Sequence, residues 1–288
     1  MFIVQLAETV AAGGWFLDLW RVPKPFVVGV IETEIHEVML GQRLKSMFPR
    51  NPPPAGLRFL GEEGMKELRR QGSMALKLAY VRRWVEQEGI DVVVFDTAND
   101  FFRGDDNPSA EADVGAFFDL LRNMPVKARI LVRHDRKKKE QDGDEGNTNE
   151  LIRGSAEWKE DPELILYVKR ADRRTNKIDF QVGKFRYGAK PDPMELWFDA
   201  GTFRLTALPP VIAVLEPGPR SRQQIIALAG QRFGLGERTV DLDLQFLGGF
   251  LLVRQVGHQK FYEIDRERAA TAPWGEVLRR RGEDMQPC

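Results

Sequence analysis

The residues with the clearest chemical potential lie at the end of a short apolar run near the middle of the chain. The segment DVVVFDTAND covers residues 91–100. Its apolar part consists of three valines and Phe95, and Asp96 follows directly. Consecutive β-branched and aromatic residues predict a strand buried on both faces. A carboxylate at the end of such a strand lies at the carboxyl edge of an open α/β sheet, where ligands of this fold class bind. The alternative is a buried strand that simply ends in a polar turn.

Two other predicted strands also end in polar residues. Residues 26–31 continue towards Glu34, and residues 128–132 continue into His134. Because the carboxyl ends of parallel strands meet at one edge of a sheet, Glu34, Asp96 and His134 could converge on a single ligand. Glu34 could equally be a solvated acid in the first turn of a helix, and His134 a loop histidine in a basic run.

The order of the predicted elements indicates an α/β fold. Strands and helices alternate as far as residue 132, and several adjacent strands follow, which predicts a mostly parallel sheet flanked by helices with a hairpin at its edge. Hydrophobic periodicity predicts helices over residues 2–12, 38–47, 74–88 and 111–123, and further strands over 164–168, 178–185 and 196–199.

The C-terminal part is predicted to form a second, smaller domain after a core of residues 1–208. Residues 209–219 contain four prolines and are typical of a linker. Residues 220–268 predict two helices joined by a turn and then a hairpin, which is the order of a winged helix-turn-helix. Residues 269–288 are rich in Arg and Glu and are expected to form a frayed tail.

The charges of the predicted winged helix do not distinguish a DNA partner from a protein partner. Its second helix carries three acids against Arg238 alone, and acid opposes entry into a DNA groove; the acids are Glu237, Asp241 and Asp243. The hairpin carries cationic side chains that could contact a phosphate backbone, namely Arg254, His258 and Lys260. DNA and protein partners are equally compatible with this pattern.

Composition excludes several classes of protein. Lys+Arg and Asp+Glu are both 43, so any affinity for nucleic acid must come from local patches. The single cysteine, Cys288, excludes an internal disulfide and indicates a reducing compartment. Three separated histidines and one cysteine provide no zinc-type ligand set. No apolar run approaches the ~20 residues that span a bilayer, so we expect a soluble cytoplasmic protein.

Five segments occur in the order that one ATPase family shows: VVGVIETEIHEVMLGQRL, DVVVFDTAND, ILVRHDRK, RGSAEWKEDPELILYVKR and VGKFRYG. Over residues 1–208 the chain resembles the RecA-like, AAA-type P-loop ATPases, most closely the RepA kind and related hexameric replicative helicases. In this family the second strand carries a water-activating glutamate. When the Arg43-Leu44 pair is aligned with the family's segment, counting back along the chain assigns that role to Glu34, and Glu32 is the near alternative. DVVVFDTAND is similar to the Walker B strand, which implies that Asp96 is the Mg²⁺-side carboxylate.

The later segments imply further roles. ILVRHDRK is similar to a strand that ends in His-His-x-x-Lys and senses the γ-phosphate, although Arg133 stands in place of the first histidine and only His134 and Lys137 match. VGKFRYG is similar to the hairpin that supplies Lys and Arg fingers to a neighbouring subunit, which implies Lys184 and Arg186.

The resemblance also implies cofactors and partners. It implies ATP with Mg²⁺, a ring that is commonly a hexamer, and work on DNA in replication or in a mobile element. The cationic run of Arg136, Lys137, Lys138 and Lys139 could grip the phosphates of a single strand in the pore of such a ring. The nearby acids favour a solvated loop instead.

The chain departs from the family at one decisive motif. The phosphate-binding G-x-x-x-x-G-K-[ST], whose backbone N–H groups and lysine cradle the phosphates, does not occur in the sequence. In the family this loop immediately precedes a helix like FIVQLAETVA, so we expect the first strand and loop to have been cut off upstream of Met1 and ATP binding to be poor. The alternative is a non-catalytic DNA-binding or regulatory protein that retains the fold.

Overall fold

A computed structural model describes residues 2–49, 51–102, 110–134, 155–171, 176–272, 274–275 and 277–279. The helices are α1 (Phe2–Ala12), α2 (Glu37–Met47), α3 (Glu62–Arg70), α4 (Met74–Glu88), α5 (Glu111–Arg122), α6 (Glu157–Glu160), α7 (Pro210–Leu215), α8 (Arg222–Phe233), α9 (Glu237–Phe246) and α10 (Arg266–Ala269). The strands are β1 (Gly14–Phe16), β2 (Trp20–Val22), β3 (Val28–Glu32), β4 (Leu57–Phe59), β5 (Val92–Asp96), β6 (Ala128–Leu131), β7 (Leu164–Arg170), β8 (Lys177–Phe185), β9 (Met194–Asp199), β10 (Arg204–Thr206), β11 (Arg220–Ser221), β12 (Leu251–Val256) and β13 (Gln259–Ile264).

The predicted α/β class is confirmed. Four strands form a parallel sheet in the order β4-β3-β5-β6, and every residue of β3 is buried, as expected for a strand covered on both faces. Residues Val92–Phe95 of β5 are also buried. Their register places Val28 beside Val92 and Glu32 beside Asp96, so the two carboxylates lie at the same edge of the sheet.

Helices cover both faces of the parallel sheet. Ala7 and Ala11 of α1 pack on the valines of β3 and β5 on one face. On the other face, α3, α4 and α5 enclose Ile31 and Phe95 in the largest apolar cluster. Gly29 is required for this packing, because a Cβ there would lie 2.4 Å from the Ile90 side chain. The sheet edge that carries the acids is therefore fixed by close packing on both sides.

The antiparallel strands form a sheet of their own, which differs from the predicted hairpin edge. Their order is β10-β9-β8-β7, and neither β7 nor β10 pairs with the parallel sheet within the described ranges. Phe180 and Leu196 of this sheet pack against Phe16 and Leu17, which belong to or directly follow β1. A separate core therefore holds this sheet, and it needs no ladder to the parallel one.

The predicted linker over residues 209–219 is wrong. All six residues of α7 are buried, and they form the centre of a third core with Ile225, Phe233 and Val240. Pro209 precedes the helix and Pro210 occupies its first turn, where a missing N–H costs no hydrogen bond. The prolines mark the start of a buried helix instead of a flexible connection.

The predicted frayed tail is also partly wrong. Val277 and Leu278 are buried in the same core as α7, and Ala269 of α10 joins them. The apolar residues of this stretch are few, but their spacing buries them together. Residues 280–288 lie outside the described part of the chain.

The elements predicted for residues 220–268 are present. Ser221 and Gln224 form a reciprocal capping box at the start of α8, α9 follows a short turn, and β12 and β13 form a hairpin. The short strand β11 pairs with β13 on the side opposite β12. The winged-helix interpretation of this module remains a prediction.

One ion pair joins the antiparallel sheet to the C-terminal core. The buried Asp199 carboxylate accepts hydrogen bonds from Nε (3.2 Å) and Nη2 (2.6 Å) of Arg232 in α8. Burial pushes the pKa of Asp199 upwards, but the bonds and charge of Arg232 outweigh it and leave the pKa below its usual value.

We expect Arg232→Met to lower the free energy of unfolding by about 3 kcal/mol, because it leaves a buried carboxylate unpaired. The measurement is urea denaturation at neutral pH. The matched control is Arg222→Met, which removes an arginine whose pairs with Glu237 and Asp241 are exposed to solvent. It should have a much smaller effect. Equal losses of unfolding free energy in the two variants would show that the Asp199–Arg232 pair stabilises the fold no more than an exposed ion pair does.

Candidate functional site

Three hydrogen bonds lock together the ends of the two central strands. The Thr33 N–H donates to the Asp96 carbonyl at 2.6 Å, and the Thr33 hydroxyl donates to the same carbonyl at 3.1 Å. The Thr97 N–H in turn donates to the Thr33 hydroxyl at 2.9 Å. Residues just beyond β3 and β5 are consequently held at a fixed separation, which is what a preorganised site needs.

Glu32 and Glu34 have different environments, which distinguishes the two predicted candidates. Glu32 is buried, and its Oε1 accepts the N–H groups of Glu34 at 2.9 Å and Ile35 at 3.0 Å. Its carboxylate thereby shapes the loop that carries Glu34. Glu34 itself projects into solvent, with 46% of its side chain exposed. Glu34 is therefore accessible to a ligand, whereas Glu32 supports the loop beside Asp96.

The structure brings Glu34 and His134 together, although 100 residues separate them in sequence. His134 Nε2 lies 3.0 Å from Glu34 Oε2. The preceding residue is anchored as well, because Arg133 Nε donates to Asn99 Oδ1 at 3.3 Å and its guanidinium lies 4.1 Å from the centre of the Trp158 ring. The convergence expected from the strand ends is thus present for this pair.

The Asp96 carboxyl lies in an environment that disfavours its charge. Burial first, and then the neighbouring carboxylates of Glu32 and Glu34, raise its pKa to about 6. Acids gathered in this way attract a cation, and Mg²⁺ is commonly bound by one or two carboxylates together with substrate phosphates. Asp96 and Glu34 therefore fit the metal side of a Mg²⁺–nucleotide site. Within the described residues no group of three or more potential ligands has the arrangement of a complete metal site.

Sequence reasoning missed a buried lysine behind this edge. Lys77 of α4 is 4% exposed, and its Nζ donates to the carbonyls of Asp100 at 3.1 Å and Phe101 at 3.2 Å. These carbonyls belong to the 3-10 turn that follows Asp96 and also carries Asn99. The turn is thereby fastened to α4 beside a cavity of about 70 Å³. A lysine among the apolar positions of a helix is the sequence signal that could have identified it.

The predicted fingers contact their own chain. Lys184 Nζ donates to the carbonyls of Lys159 (2.7 Å) and Glu160 (2.6 Å), and Arg186 donates to the Glu160 carbonyl. Both side chains thus converge on the end of α6, and neither contacts Glu34 in the structure. Burial and then the charge of Arg186 lower the pKa of Lys184. Their proposed role towards a neighbouring subunit remains a prediction.

The predicted phosphate-gripping run, Arg136, Lys137, Lys138 and Lys139, lies outside the described residues. Among the described residues, no helix has the length and apolar character to cross a membrane.

We expect Asp96→Asn to raise the melting temperature at about pH 8 and to raise it less at about pH 5. The folded state holds a proton on Asp96 up to about pH 6, whereas the unfolded carboxyl ionises near its ordinary value. Between these two pKa values the wild type loses stability as the pH rises, and the amide avoids that loss. Calorimetric melting at the two pH values measures the difference.

The matched control is Asp91→Asn at the other end of β5. The hydrogen bond from Lys127, followed by the N–H of Val27, lowers the pKa of Asp91, so its charged form stabilises the fold above its ordinary pKa. This variant should melt lower than the wild type by a similar amount at both pH values. A destabilised Asp96→Asn protein at about pH 8 would contradict the conclusion that burial and the neighbouring acids disfavour the charged Asp96 carboxylate.

Comparisons with known proteins give a domain-level similarity. Residues 1–140 match the family described as the AAA domain. No characterised protein matches the sequence. Solved structures of similar shape include an ATPase domain, with 15% identity, a TM-score of 0.45 and coverage of 64% of this chain and 75% of that one. A KaiC-like protein of the archaeon Pyrococcus horikoshii has 12% identity, a TM-score of 0.44 and coverage of 63% and 76%. The RadB recombinase has 14% identity, a TM-score of 0.42 and coverage of 64% and 80%.

Proposed function

We propose that residues 1–208 form a RecA-like ATPase core whose activity is Mg²⁺-dependent ATP hydrolysis coupled to work on DNA, as in the RepA type of helicase. The observation that carries the proposal is the pairing of Glu34 with His134 beside Asp96, at the carboxyl edge of a parallel sheet. The AAA-domain match supports it, because residues 1–140 include all three side chains.

In this proposal each side chain has one task. Asp96 provides the carboxylate on the metal side, and Mg²⁺, when bound, would neutralise charge on the phosphates. Glu34 orients the attacking water and accepts its proton, for which its exposed carboxylate is well placed. His134 shares a hydrogen bond with Glu34, which positions the ring to sense the γ-phosphate. Glu32 and Thr33 hold these groups in place through backbone hydrogen bonds.

The proposal extends to assembly and to partners. Lys184 and Arg186 would leave their own α6 to reach a neighbour's nucleotide in a ring, most simply a hexamer. Single-stranded DNA would pass the cationic run Arg136–Lys139 in the pore, and residues 220–268 would form a winged helix. The protein would then act in the cytoplasm, in replication or in a mobile element.

A second function is favoured by one specific observation. The given sequence contains no G-x-x-x-x-G-K-[ST] motif, the loop whose backbone N–H groups cradle nucleotide phosphates. A non-catalytic DNA-binding or regulatory protein would need the fold without that loop. The two functions differ in whether nucleotide is turned over.

The deciding experiment measures ATP turnover, with and without single-stranded DNA, for this chain and for one extended upstream in its reading frame. We expect turnover in the extended protein where the added residues supply a G-x-x-x-x-G-K-[ST] loop. There Glu34→Gln should lower turnover by at least about 100-fold while nucleotide binding is retained, because a lost general base costs rate and not affinity.

The control is Glu32→Gln, which keeps an oxygen to accept the N–H groups of Glu34 and Ile35. Its turnover should fall much less than that of Glu34→Gln. If Glu32→Gln shows the greater loss, the water-activating role belongs to Glu32. An extended protein that is inert in all conditions would favour the regulatory function.

The role of Arg186 in trans predicts complementation in mixed assemblies of the extended protein. Arg186→Ala and Glu34→Gln should each be inactive alone, because each lacks one half of every site. An equal mixture should recover up to about a quarter of wild-type turnover, since some sites then combine an intact glutamate with a neighbour's intact arginine. Mixtures that stay inactive would place Arg186 in a role within its own chain, such as closing the end of α6.

A further inference from the structure

Within the described residues, the C-terminal module has an unpaired strand edge, which is independent of the proposed ATPase site. In the sheet β11-β13-β12, strand β12 lies at the edge. The Asp265 N–H donates to the Phe250 carbonyl at 2.9 Å, and this bond fixes the alternation of the antiparallel ladder. The backbone groups of residues 252, 254 and 256 therefore face β13, whereas those of residues 251, 253 and 255 face outwards. Residues 253 and 255 are exposed, so their outward groups are available to a further strand, whereas Leu251 is buried.

Apolar side chains on this edge are exposed. Leu252 is 39% exposed, Val253 is 53% exposed and Val256 is 65% exposed. Leu252 and Val256 lie on one face of β12 and Val253 on the other, so an added strand would cover apolar side chains on both faces.

The edge strand β12, with the sequence LLVRQV, carries a single charged side chain, Arg254. On β12 itself, Arg254 is exposed and contacts Glu263 only at 3.6 Å.

The position of Arg254 disfavours a second copy of β12 as the occupant. Leu252, Arg254 and Val256 alternate along the strand and share one face. Antiparallel self-pairing centred on Arg254 would place two guanidinium groups opposite each other. Centring the pair on Val253 would place each Arg254 against the other copy's Leu252. The first register is destabilising because like charges meet, and the second gives Arg254 no charge partner, whereas an acid opposite Arg254 would be favourable.

We propose that the free edge of β12 binds an extended segment of a partner protein with the pattern apolar-x-acid-x-apolar, which adds as a fourth strand. The acid would lie opposite Arg254, and the apolar residues would cover Leu252 and Val256. Main-chain hydrogen bonds from residues 253 and 255 provide affinity, and the side chains provide specificity. The pattern is the same in both directions, so the segment can add to β12 in a parallel or an antiparallel orientation.

The test uses the full chain and two fluorescein-labelled peptides, Thr-Val-Thr-Glu-Thr-Val-Thr and its match with Lys in place of Glu. Fluorescence anisotropy should show at least about tenfold tighter binding of the Glu peptide, because a lysine would face Arg254. Arg254→Gln should remove the preference, and Arg254→Glu should invert it.

The backbone contribution is tested separately at Val253, whose N–H faces outwards. Val253→Pro removes that N–H without removing a bond to β13, so it should abolish binding of both peptides. The control Val253→Thr keeps the N–H and a β-branched side chain and should bind as the wild type does. Circular dichroism confirms that each variant is folded.

Three outcomes would overturn the proposal. The first is equal affinity of the wild type for the two peptides. The second is self-association of the wild type that Val253→Pro abolishes, which would make the occupant a second copy. The third is competition by duplex DNA that depends on Arg254 but not on the Val253 N–H, which would make the occupant a phosphate backbone.

Discussion

The structure depends on the in-register pairing of β3 with β5. That register sets Glu32 beside Asp96, and the Thr33 hydroxyl bridges the two strand ends with one bond donated and one accepted. A slip of one residue would turn every side chain of β3 to the opposite face. Such a slip would also put a valine in the place of Gly29, where a Cβ would lie 2.4 Å from the Ile90 side chain. The geometry of the candidate site is thus enforced by the packing of the core.

The same register has an energetic cost. It gathers three carboxylates at one sheet edge, and the partly buried Asp96 bears that cost as a raised pKa. Backbone hydrogen bonds offset this cost only in part. Glu32 accepts two N–H groups, but the charged form of Asp96 remains disfavoured. Stable folds retain such local conflicts where function requires them. Relief by a bound cation is the simplest physical reason for this one.

Much of the fold could be predicted from sequence, because β3, β5 and α4 have unmistakable apolar patterns. Sequence reasoning could identify those residues of the candidate site that lie at or just after the end of a strand, namely Asp96 and His134. The helix α7 was not predictable by the same reasoning, since its prolines resemble a linker until its burial is known. Lys77 was missed for a related reason. Its role depends on two carbonyls more than twenty residues away, and periodicity carries no information about such contacts.

Helix α6 connects two regions that the sequence presents as separate motifs. Its Trp158 stacks on Arg133, the residue before His134, while the carbonyl of its Glu160 accepts hydrogen bonds from Lys184 and Arg186. A short helix of four residues has little stability of its own, so these contacts determine its position. If Arg186 moved towards a neighbouring chain, Glu160 would lose a donor and Trp158 would be less firmly held. A movement of Lys184 and Arg186 would then affect His134 through the Trp158 ring and the Arg133 guanidinium that packs on it. Helix α6 thus joins Lys184 and Arg186 to the residue before His134 by direct packing.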